Sequence, residues 1–377
     1  MAERWVLQFC HSHYGPFADV ARQYAALFKG SPYKVLTVYL TGEPNEAVRQ
    51  VSASDEVIFL DFSSKAVGGL KLAAIRALKK IAASRDFALV IAHRAKPIYI
   101  ACLATRLPVI GVHHAFGDYK RMTRRCFANA FRKRLALLGV SDAVRDDIRK
   151  QFPDWPADRI ETLHNRLDVA VARAGIVPRA AARQALGLPA DALVVGNVGR
   201  LHADKDQATL IAGFAQALPG LPAGTLLAIA GSGPLEAALR RQITALGIGD
   251  RVRLLGQVPD VRRLFAAFDL FVLSSDHEPF GMVLLEAMAA GVPVMATDCG
   301  GAPEVVGRAG LLFALRDADG LANKLVDFCN SDADARRASC IDAAQRLETA
   351  FSDAAARRRF HALPMVRQAL ANGEAAR

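Results

Sequence analysis

Short runs of consecutive apolar residues alternate along the chain with stretches in which apolar residues recur at helical spacing. The runs are rich in Val, Ile and Leu, which is typical of strands buried on both faces of a parallel sheet. We predict strands at Trp5–Cys10, Lys34–Leu40, Glu56–Phe59, Ala88–Ile91 and Val109–Val112, and after a break at Val194–Val198, Leu226–Ala230, Val252–Leu254, Leu270–Leu273, Val292–Ala296 and Gly310–Leu312. Two such series in one chain predict two doubly wound α/β domains.

The break between the two series lies near Asn165–Pro178, after which a fresh helix and strand begin. A chain of 377 residues is long enough for two hydrophobic cores. We therefore predict a Rossmann-like first domain over 1–168 and a Rossmann-like second domain over 169–350. The segment 351–377 has a helical pattern interrupted by Pro364, and we expect it to pack back on the first domain.

The positive charge of the chain is concentrated in its first half. The net charge is +11, and residues 1–168 contain 26 basic against 16 acidic residues, whereas the remainder is almost balanced. Such an excess favours an anionic partner, and nucleic acid, an acidic membrane and a phosphorylated substrate are all candidates.

Two segments carry most of this charge. Lys120–Arg134 contains seven Lys and Arg residues, with Phe127 and Phe131 four positions apart, and Lys71–Arg85 has the pattern of a basic amphipathic helix. A basic helix with one apolar face is typical of binding to a membrane surface, and it also suits docking of an anionic acceptor. The alternative is that the apolar face belongs to the core and the cations are solvated.

Two glutamates, Glu278 and Glu286, stand in an otherwise apolar stretch with seven residues between them. The pattern predicts a helix over Met282–Ala290, so Glu278 lies in the loop after strand Leu270–Leu273 and Glu286 lies about a turn into the helix. Ligands of open α/β sheets bind at the carboxyl ends of the strands, and free N–H groups at a helix start suit an oxyanion. The alternative is that Glu286 makes a local cap or salt bridge and Glu278 is a solvated loop residue.

The stretch from Glu278 to Glu286 resembles the E-x7-E signature of retaining glycosyltransferases of family four. The likeness continues through EAMAAGVPVMATDCGGAPEVV, and it includes VGNVGRLHADKDQATLIAGFA and the glycine loop of LAIAGSGPLEAALRRQ upstream. It is similar in this to the enzymes of lipopolysaccharide core synthesis. The resemblance implies the GT-B fold, in which an acceptor-binding domain and a nucleotide-sugar-binding domain face a cleft.

The resemblance also implies roles for residues of the second domain. Arg200 and Lys205 would hold the nucleotide diphosphate, Glu278 would contact the donor sugar, and Glu286 would bind the ribose hydroxyls. The neighbours of the sugar, the phosphate and the base would be Phe280, Gly281, Met282, Val283, Gly231 and Gly233. Charge-assisted hydrogen bonds from the two cations would neutralise the diphosphate. Alternatively, Arg200 and Lys205 form a solvated face, and the two glycines only make a turn.

In the first domain the resemblance is weaker. Gly15 would take the place of the family's glycine-rich first loop, although a simple turn glycine is equally consistent with this copy. His113 follows an apolar strand and would lie close to the reacting sugar, with His93 lining the same cleft. A neutral imidazole could bond a sugar hydroxyl there. The alternative is that His113 or His114 is a structural histidine with satisfied ring nitrogens.

We expect no metal cofactor, because no Asp-x-Asp pair stands at a strand end and the six cysteines lack metal-ligand spacing. The donor would be a nucleotide sugar, with a UDP-sugar as the leading choice. No apolar run reaches the ~20 residues needed to span a bilayer. We therefore expect a cytoplasmic protein, with peripheral contact to the inner face of the cytoplasmic membrane as an option.

These observations predict a retaining hexosyltransferase that moves a sugar to an anionic, lipid-linked glycan such as lipopolysaccharide core. Three alternatives stay open: transfer to a soluble acceptor, binding of a sugar nucleotide without catalysis, and binding of nucleic acid by the basic half. No helix-turn-helix, RNP-like or zinc-finger signature supports the last, so we expect no nucleic-acid partner.

Overall fold

A computed structural model describes residues 3–15 and 17–375. The chain divides into two compact units, one formed by the residues up to Asn165 and those from Asp353 onward, the other by Arg166–Ser352. The borders fall close to the predicted ones at 168/169 and 350/351. The functions assigned to the two domains stay predictions at this point.

Unit 1 is built on a parallel sheet of seven strands in the order β3-β2-β1-β4-β5-β6-β7. Its strands are β1 (Arg4–Cys10), β2 (Tyr33–Tyr39), β3 (Glu56–Phe59), β4 (Phe87–His93), β5 (Val109–His113), β6 (Leu135–Gly139) and β7 (Ile160–Thr162). The helices between them are α1 (Phe17–Ala25), α2 (Glu46–Val51), α3 (Leu72–Ala82), α4 (Ala95–Ala104), α5 (Met122–Ala130) and α6 (Asp142–Arg149), with 3₁₀ turns at Ala26–Phe28 and Ala157–Arg159. Every residue of β4, β5 and β6 is buried, because helices cover both faces of the sheet.

Unit 2 repeats this plan with six parallel strands in the order β10-β9-β8-β11-β12-β13. The strands are β8 (Val194–Val198), β9 (Leu226–Ala230), β10 (Val252–Gly256), β11 (Leu270–Leu273), β12 (Val294–Thr297) and β13 (Leu311–Phe313). The helices are α7 (Val169–Ala174), α8 (Arg179–Ala185), α9 (Gln207–Ala217), α10 (Glu236–Ala245), α11 (Met282–Ala289), α12 (Ala302–Val306), α13 (Ala318–Asn330) and α14 (Ala333–Ala350), with 3₁₀ turns at Ala203–Lys205, Leu218–Gly220 and Val261–Ala267. Side chains of β8, β9 and β11 form one core with α9 and α13, centred on Val195, Ile229, Val272 and Phe214.

The end of the chain belongs to unit 1. Helices α15 (Asp353–Ala362) and α16 (Pro364–Ala375) meet at the predicted interruption, since Pro364 is the first residue of the second helix. Asp353 Oδ2 accepts from Arg22 Nη1 of α1 at 2.9 Å, and Arg357 and His361 contact the carbonyl oxygens of Ala26 and Leu27. These bonds hold the terminal helices against the first helix of the chain.

All eleven predicted strands are present, with bounds shifted by no more than two residues. Two strands of unit 1, β6 and β7, were not predicted. β6 begins directly after the basic run ending at Arg134, and β7 is a three-residue edge strand with Glu161 at its centre. Neither has the length or the clean apolar run that identifies the others. No helix in the described ranges, 3–15 and 17–375, could cross a bilayer.

The sheet orders determine where ligands can bind. In each sheet the first strand of the unit has its successors on one side and the later strands on the other, which creates a switch point between β1 and β4 and between β8 and β11. In open α/β sheets, ligands bind outside the carboxyl ends of the strands at such points.

A buried arginine ties the start of unit 2 to its sheet. Arg183 is 1% exposed, donates from Nη2 to Asp269 Oδ2 at 2.8 Å, and bonds four backbone carbonyls, those of Pro189, Ala190, Ala192 and Ala267. Burial lowers the pKa of its guanidinium, with nearby Arg179 in support. Arg179 binds the other oxygen of the same carboxylate at 2.6 Å from a half-exposed position.

We expect Arg183→Met to destabilise unit 2 by about 3–5 kcal/mol, because it leaves a carboxylate and several carbonyls without their partner. Arg179→Met is the matched control and should cost no more than about 1 kcal/mol. Hydrogen exchange of peptides from β8 and β11 reports the effect on unit 2, since both tryptophans, Trp5 and Trp155, lie in unit 1. Equal protection in the two variants would contradict this assignment.

Candidate functional site

The predicted donor-site residues of unit 2 gather at the switch point between β8 and β11. Lys205 ends the 3₁₀ turn after β8, and Glu278 lies in the loop after β11. The lysine Nζ donates to Glu278 Oε2 at 2.7 Å, and both side chains are mostly buried, 19% and 10% exposed. A buried ion pair is retained only where its partners satisfy each other, so the pair is a fixed element of this edge of the sheet.

Two serines at the end of β11 surround this pair. Ser275 Oγ donates to Glu278 Oε2 at 3.1 Å and accepts a longer contact of 3.4 Å from Lys205 Nζ. Ser274 Oγ donates to the backbone oxygen of Lys205 at 2.8 Å. The sequence analysis did not single out either serine, because their partners lie some 70 residues earlier in the chain.

Arg200 is the exposed cation of the site. Its side chain is 71% exposed, and it has a long contact of 3.4 Å to Asp204 Oδ2. Partial burial works against ionisation of Asp204, but the bond from His202 and the charges of Lys205 and Arg200 lower its pKa overall. The backbone oxygen of Arg200 accepts from the buried amide of Gln207 at 3.0 Å. The loop is thus fixed while the guanidinium reaches solvent.

The loop after β9 requires its glycines. A Cβ on Gly231 would lie 1.8 Å from the oxygen of Gly199, and one on Gly233 would lie 2.3 Å from the oxygen of Leu201. Gly231 also has φ +149°, a conformation that side chains rarely adopt. The two glycines therefore allow the β9 loop to lie directly on the β8 loop, which is more than the simple turn that was the alternative.

Helix α11 presents its N-terminus beside the ion pair. Gly281 precedes it in left-handed backbone, φ +100°, and the first N–H groups, from Met282 and Val283 on, have no acceptor within the helix. Phe280 is buried, with its ring 5.8 Å from that of Phe351. Glu286 lies in the second turn and is partly buried. This helix start suits an oxyanion.

The predicted residues of unit 1 lie at the switch point between β1 and β4 and on the neighbouring strand β5. Gly15 follows β1 with φ +58°, and a Cβ there would meet none of the described atoms within 4 Å. His93 is the last residue of β4 and His113 the last of β5. The carboxyl edge of this sheet therefore collects imidazoles where that of unit 2 collects charged groups.

His113 is fully buried, and both of its ring nitrogens are bonded. Nδ1 lies 2.7 Å from Asp118 Oδ2, and Nε2 lies 3.2 Å from the hydroxyl of Tyr119. Burial raises the pKa of Tyr119, so its hydroxyl donates and His113 is the tautomer with hydrogen on Nδ1. Asp118 stays ionised, since the bond to His113 and nearby Arg124 outweigh the effect of burial on its pKa. These contacts are those of the structural histidine that the sequence left as the alternative.

The neighbouring ring, that of His114, is the partly exposed one. Its Nε2 lies 3.2 Å from Nδ1 of His93, which is 2% exposed and packs on Tyr24 at 4.7 Å. Desolvation, with His113 and Arg94 nearby, lowers the pKa of His114 to about 3. At neutral pH this imidazole is therefore uncharged. An alignment of strand ends alone could not separate His114 from His113, because that choice depends on which ring the fold covers.

Two family models match the chain, one over each part. The model described as "Glycosyltransferase Family 4" matches residues 11–171, and "Glycosyl transferases group 1" matches residues 178–347. This chain belongs to glycosyltransferase family 4. The family predicted from the resemblance is thereby confirmed.

Curated relatives of this family-4 chain match it in part. The lipopolysaccharide core biosynthesis glycosyltransferase LpsE of Rhizobium meliloti is 40% identical over 145 residues, 38% of this chain and 41% of that protein. A D-inositol 3-phosphate glycosyltransferase of Mycolicibacterium paratuberculosis is 37% identical over 224 residues, 56% of this chain and 48% of that protein. The chain thus spans about half the length of the curated relatives it matches.

Solved structures show the same fold over nearly the whole chain. A glycosyltransferase from Rickettsia africae has a TM-score of 0.83 at 17% identity and covers 98% of this chain and 99% of its own. HepE of Anabaena, solved with UDP and glucose, has a TM-score of 0.74 at 23% identity over 95% of this chain and 98% of its own. The predicted fold class, two Rossmann-like α/β domains of the GT-B type, is confirmed.

The lowered pKa of His114 gives unit 1 a pH dependence. The unfolded chain binds this proton below about pH 6.5, whereas the folded chain does not until about pH 3, so acidification favours unfolding over this range. We expect His114→Gln to flatten the stability loss between pH 6.5 and 5 by up to about 1.4 kcal/mol per pH unit.

Urea unfolding followed by tryptophan fluorescence reports unit 1 directly. His277→Gln, in the loop of unit 2, is the control and should leave the slope unchanged. The pKa of His11 is also lowered, by desolvation and by Arg94 and Lys96, so a residual slope of the same sign should remain in His114→Gln. An unchanged slope in that variant would contradict the assignment.

Proposed function

We propose that the chain is a retaining glycosyltransferase that transfers a hexose from a nucleotide sugar, with UDP as the leading nucleotide, to an anionic, lipid-linked glycan of the lipopolysaccharide core type. The observation that carries this proposal is the Lys205–Glu278 pair at the switch point of unit 2, beside the N-terminus of α11. The name of LpsE and the UDP of HepE support the acceptor class and the nucleotide.

Arg200, Lys205 and the start of α11 would bind the diphosphate of the donor. Arg200 reaches solvent and can close on an anion, whereas Lys205 is already in place. Preorganised donors of this kind stabilise charge that develops on a leaving group. Glu286 would accept from the two ribose hydroxyls and Glu278 from a hydroxyl of the sugar.

Retention of the anomeric configuration follows if the diphosphate leaves and the acceptor attacks from the same face. The bond between the anomeric carbon and the phosphate oxygen breaks as the acceptor oxygen bonds to that carbon, and the acceptor proton passes to the departing phosphate. The electron pair of the broken bond stays on the phosphate, where Arg200 and Lys205 compensate its charge. No protein nucleophile is needed for this route.

His114 replaces His113 in our proposal as the imidazole that contacts the sugar. Its ring is neutral at physiological pH and is oriented by His93. A neutral imidazole can donate to or accept from a sugar hydroxyl without neutralising the diphosphate. His113, with both nitrogens bonded, would orient the end of β5.

A D-inositol 3-phosphate glycosyltransferase among the relatives favours a second candidate acceptor, a soluble phosphorylated polyol. Both acceptors are anionic, and both suit the basic unit 1. Assays with the purified protein and each acceptor class separate the two: transfer to the soluble polyol alone would reject the lipid-linked acceptor.

We expect Lys205→Ala to lower kcat/KM by about 10²-fold or more, because one preorganised donor to the leaving diphosphate is lost. Glu286→Ala should weaken donor binding at least tenfold through the lost bonds to ribose. A thermal-shift series with nucleotide sugars, followed by kinetics with the best donor, measures both. A ligand at 100 times its Kd adds about 2.7 kcal/mol of stability, which makes the wild-type signal large.

Lys324→Ala is the matched control, since Lys324 on α13 is the other lysine of unit 2. It should behave as wild type. Wild-type activity in Lys205→Ala, or wild-type donor binding in Glu286→Ala, would reject this site.

Unit 1 carries a surface that suits an anionic membrane, and we include peripheral attachment, at the cytoplasmic face, in the proposal. Helix α3 buries only Ala74 and Leu78. Around its start, Leu70 and Leu72 are 68% and 54% exposed, and Met122 at the start of α5 is 63% exposed. We call these three residues the apolar surface of unit 1.

Aromatic contacts link α3, α4 and α5 beneath this surface. Lys71 Nζ lies 4.9 Å from the centre of the Tyr99 ring, which lies 4.8 Å from that of Phe127. Exposed cations surround it, including Lys120 and Arg121. Apolar side chains framed by cations bind the interface of anionic bilayers. The structure thus exposes apolar residues where the alternative interpretation expected a purely buried face.

Sedimentation with vesicles containing anionic phospholipid tests this attachment. We expect binding that weakens with salt, and a loss of about tenfold in Lys120→Gln/Arg121→Gln, because each cation near such a surface contributes about 1 kcal/mol. Arg308→Gln/Arg337→Gln, at exposed positions of unit 2, is the control with the same charge change. Equal binding by the two double variants would show that this surface is not the contact.

A further inference from the structure

The structure contains a third group at the Lys205–Glu278 pair that neither the family models nor the resemblance assigns. Ser275 is 1% exposed, and its hydroxyl lies between the two charged groups: it donates to Glu278 Oε2 at 3.1 Å and is 3.4 Å from Lys205 Nζ. We propose that Ser275 is a positioning residue of the donor site, which sets the place of the Lys205 ammonium through Glu278. The proposal rests on the proposed function of that site.

Lys205 is held at both ends from the carboxyl end of β11. Ser274 bonds its backbone oxygen at 2.8 Å, while Ser275 and Glu278 take its ammonium. Between them the lysine stem runs over Gly199, where a Cβ would lie 3.7 Å and 3.8 Å from Cγ and Cδ. A flexible side chain that normally loses much rotamer freedom on binding is thus ordered before a ligand arrives.

The hydroxyl also controls how the ammonium is shared. An ammonium has three N–H donors, and Glu278 and Ser275 take two of them, which leaves one to aim at a diphosphate. Glu278 alone would draw the lysine toward its carboxylate and compete with the phosphate for it. Because Ser275 donates to the same oxygen, Oε2, it occupies part of that oxygen's capacity and reduces this competition.

The test is a double-mutant cycle on the binding of a nucleoside diphosphate. UDP, ADP and GDP are titrated into the wild type by calorimetry, and the tightest is carried forward. We expect Ser275→Ala to weaken its binding about tenfold in the wild-type background and by less than twofold in the Lys205→Ala background. Ser275→Thr, which keeps the hydroxyl, should restore the Kd to within about threefold of wild type.

Thr225→Val is the matched control, because it removes another buried hydroxyl of unit 2, one that bonds the oxygen of Pro222 at 2.6 Å. Its Kd should equal that of wild type whatever its stability. Should Ser275→Ala not fold, Ser275→Cys replaces it in the cycle, since a thiol keeps the volume but bonds weakly.

Three outcomes are informative. A wild-type Kd in Ser275→Ala, or an equal loss in both backgrounds, overturns the positioning role while leaving the donor site intact. A tenfold loss confined to the background that contains Lys205 supports it. Failure of the wild type to bind any of the three diphosphates would instead reject the proposed function on which the inference rests.

Discussion

The contact between Lys205 and Glu278 is the interaction on which the donor site depends. The two residues are 73 positions apart in the chain, and their side chains meet only because β8 and β11 are neighbours in the sheet of unit 2. A lysine and a glutamate with little exposure would each be costly alone, so each requires the other and the serine beside them. The ion pair thus joins the two loops that the switch point brings together.

The two units use the same sheet order for different electrostatics. In unit 2 the carboxyl edge holds a charged pair, an exposed arginine and a helix N-terminus, which together suit a diphosphate. In unit 1 the corresponding edge holds a neutral histidine pair, His93 and His114. The positive charge of unit 1 lies instead on its surface helices, where it can act on an anionic partner.

Much of this could be predicted because parallel α/β sheets leave a strong signal. Strands buried on both faces read as continuous Val, Ile and Leu runs, and eleven were found within two residues of their observed bounds. The signal fails where burial is incomplete. The edge strand β7 is three residues long and carries Glu161, and β6 follows directly on a basic run, so neither stands out from its surroundings.

The sequence by itself determined the family, the two-domain plan and the local geometry around Glu278 and Glu286, because these depend on spacing within one loop and one helix. Only the tertiary structure decided which groups meet. It paired Lys205 with Glu278 and Ser275, placed the β9 loop against the β8 loop through Gly231 and Gly233, and covered His113 while leaving His114 partly exposed. The physical reason is that burial and hydrogen-bond partners are set by neighbours in the sheet, and those neighbours are distant in the chain.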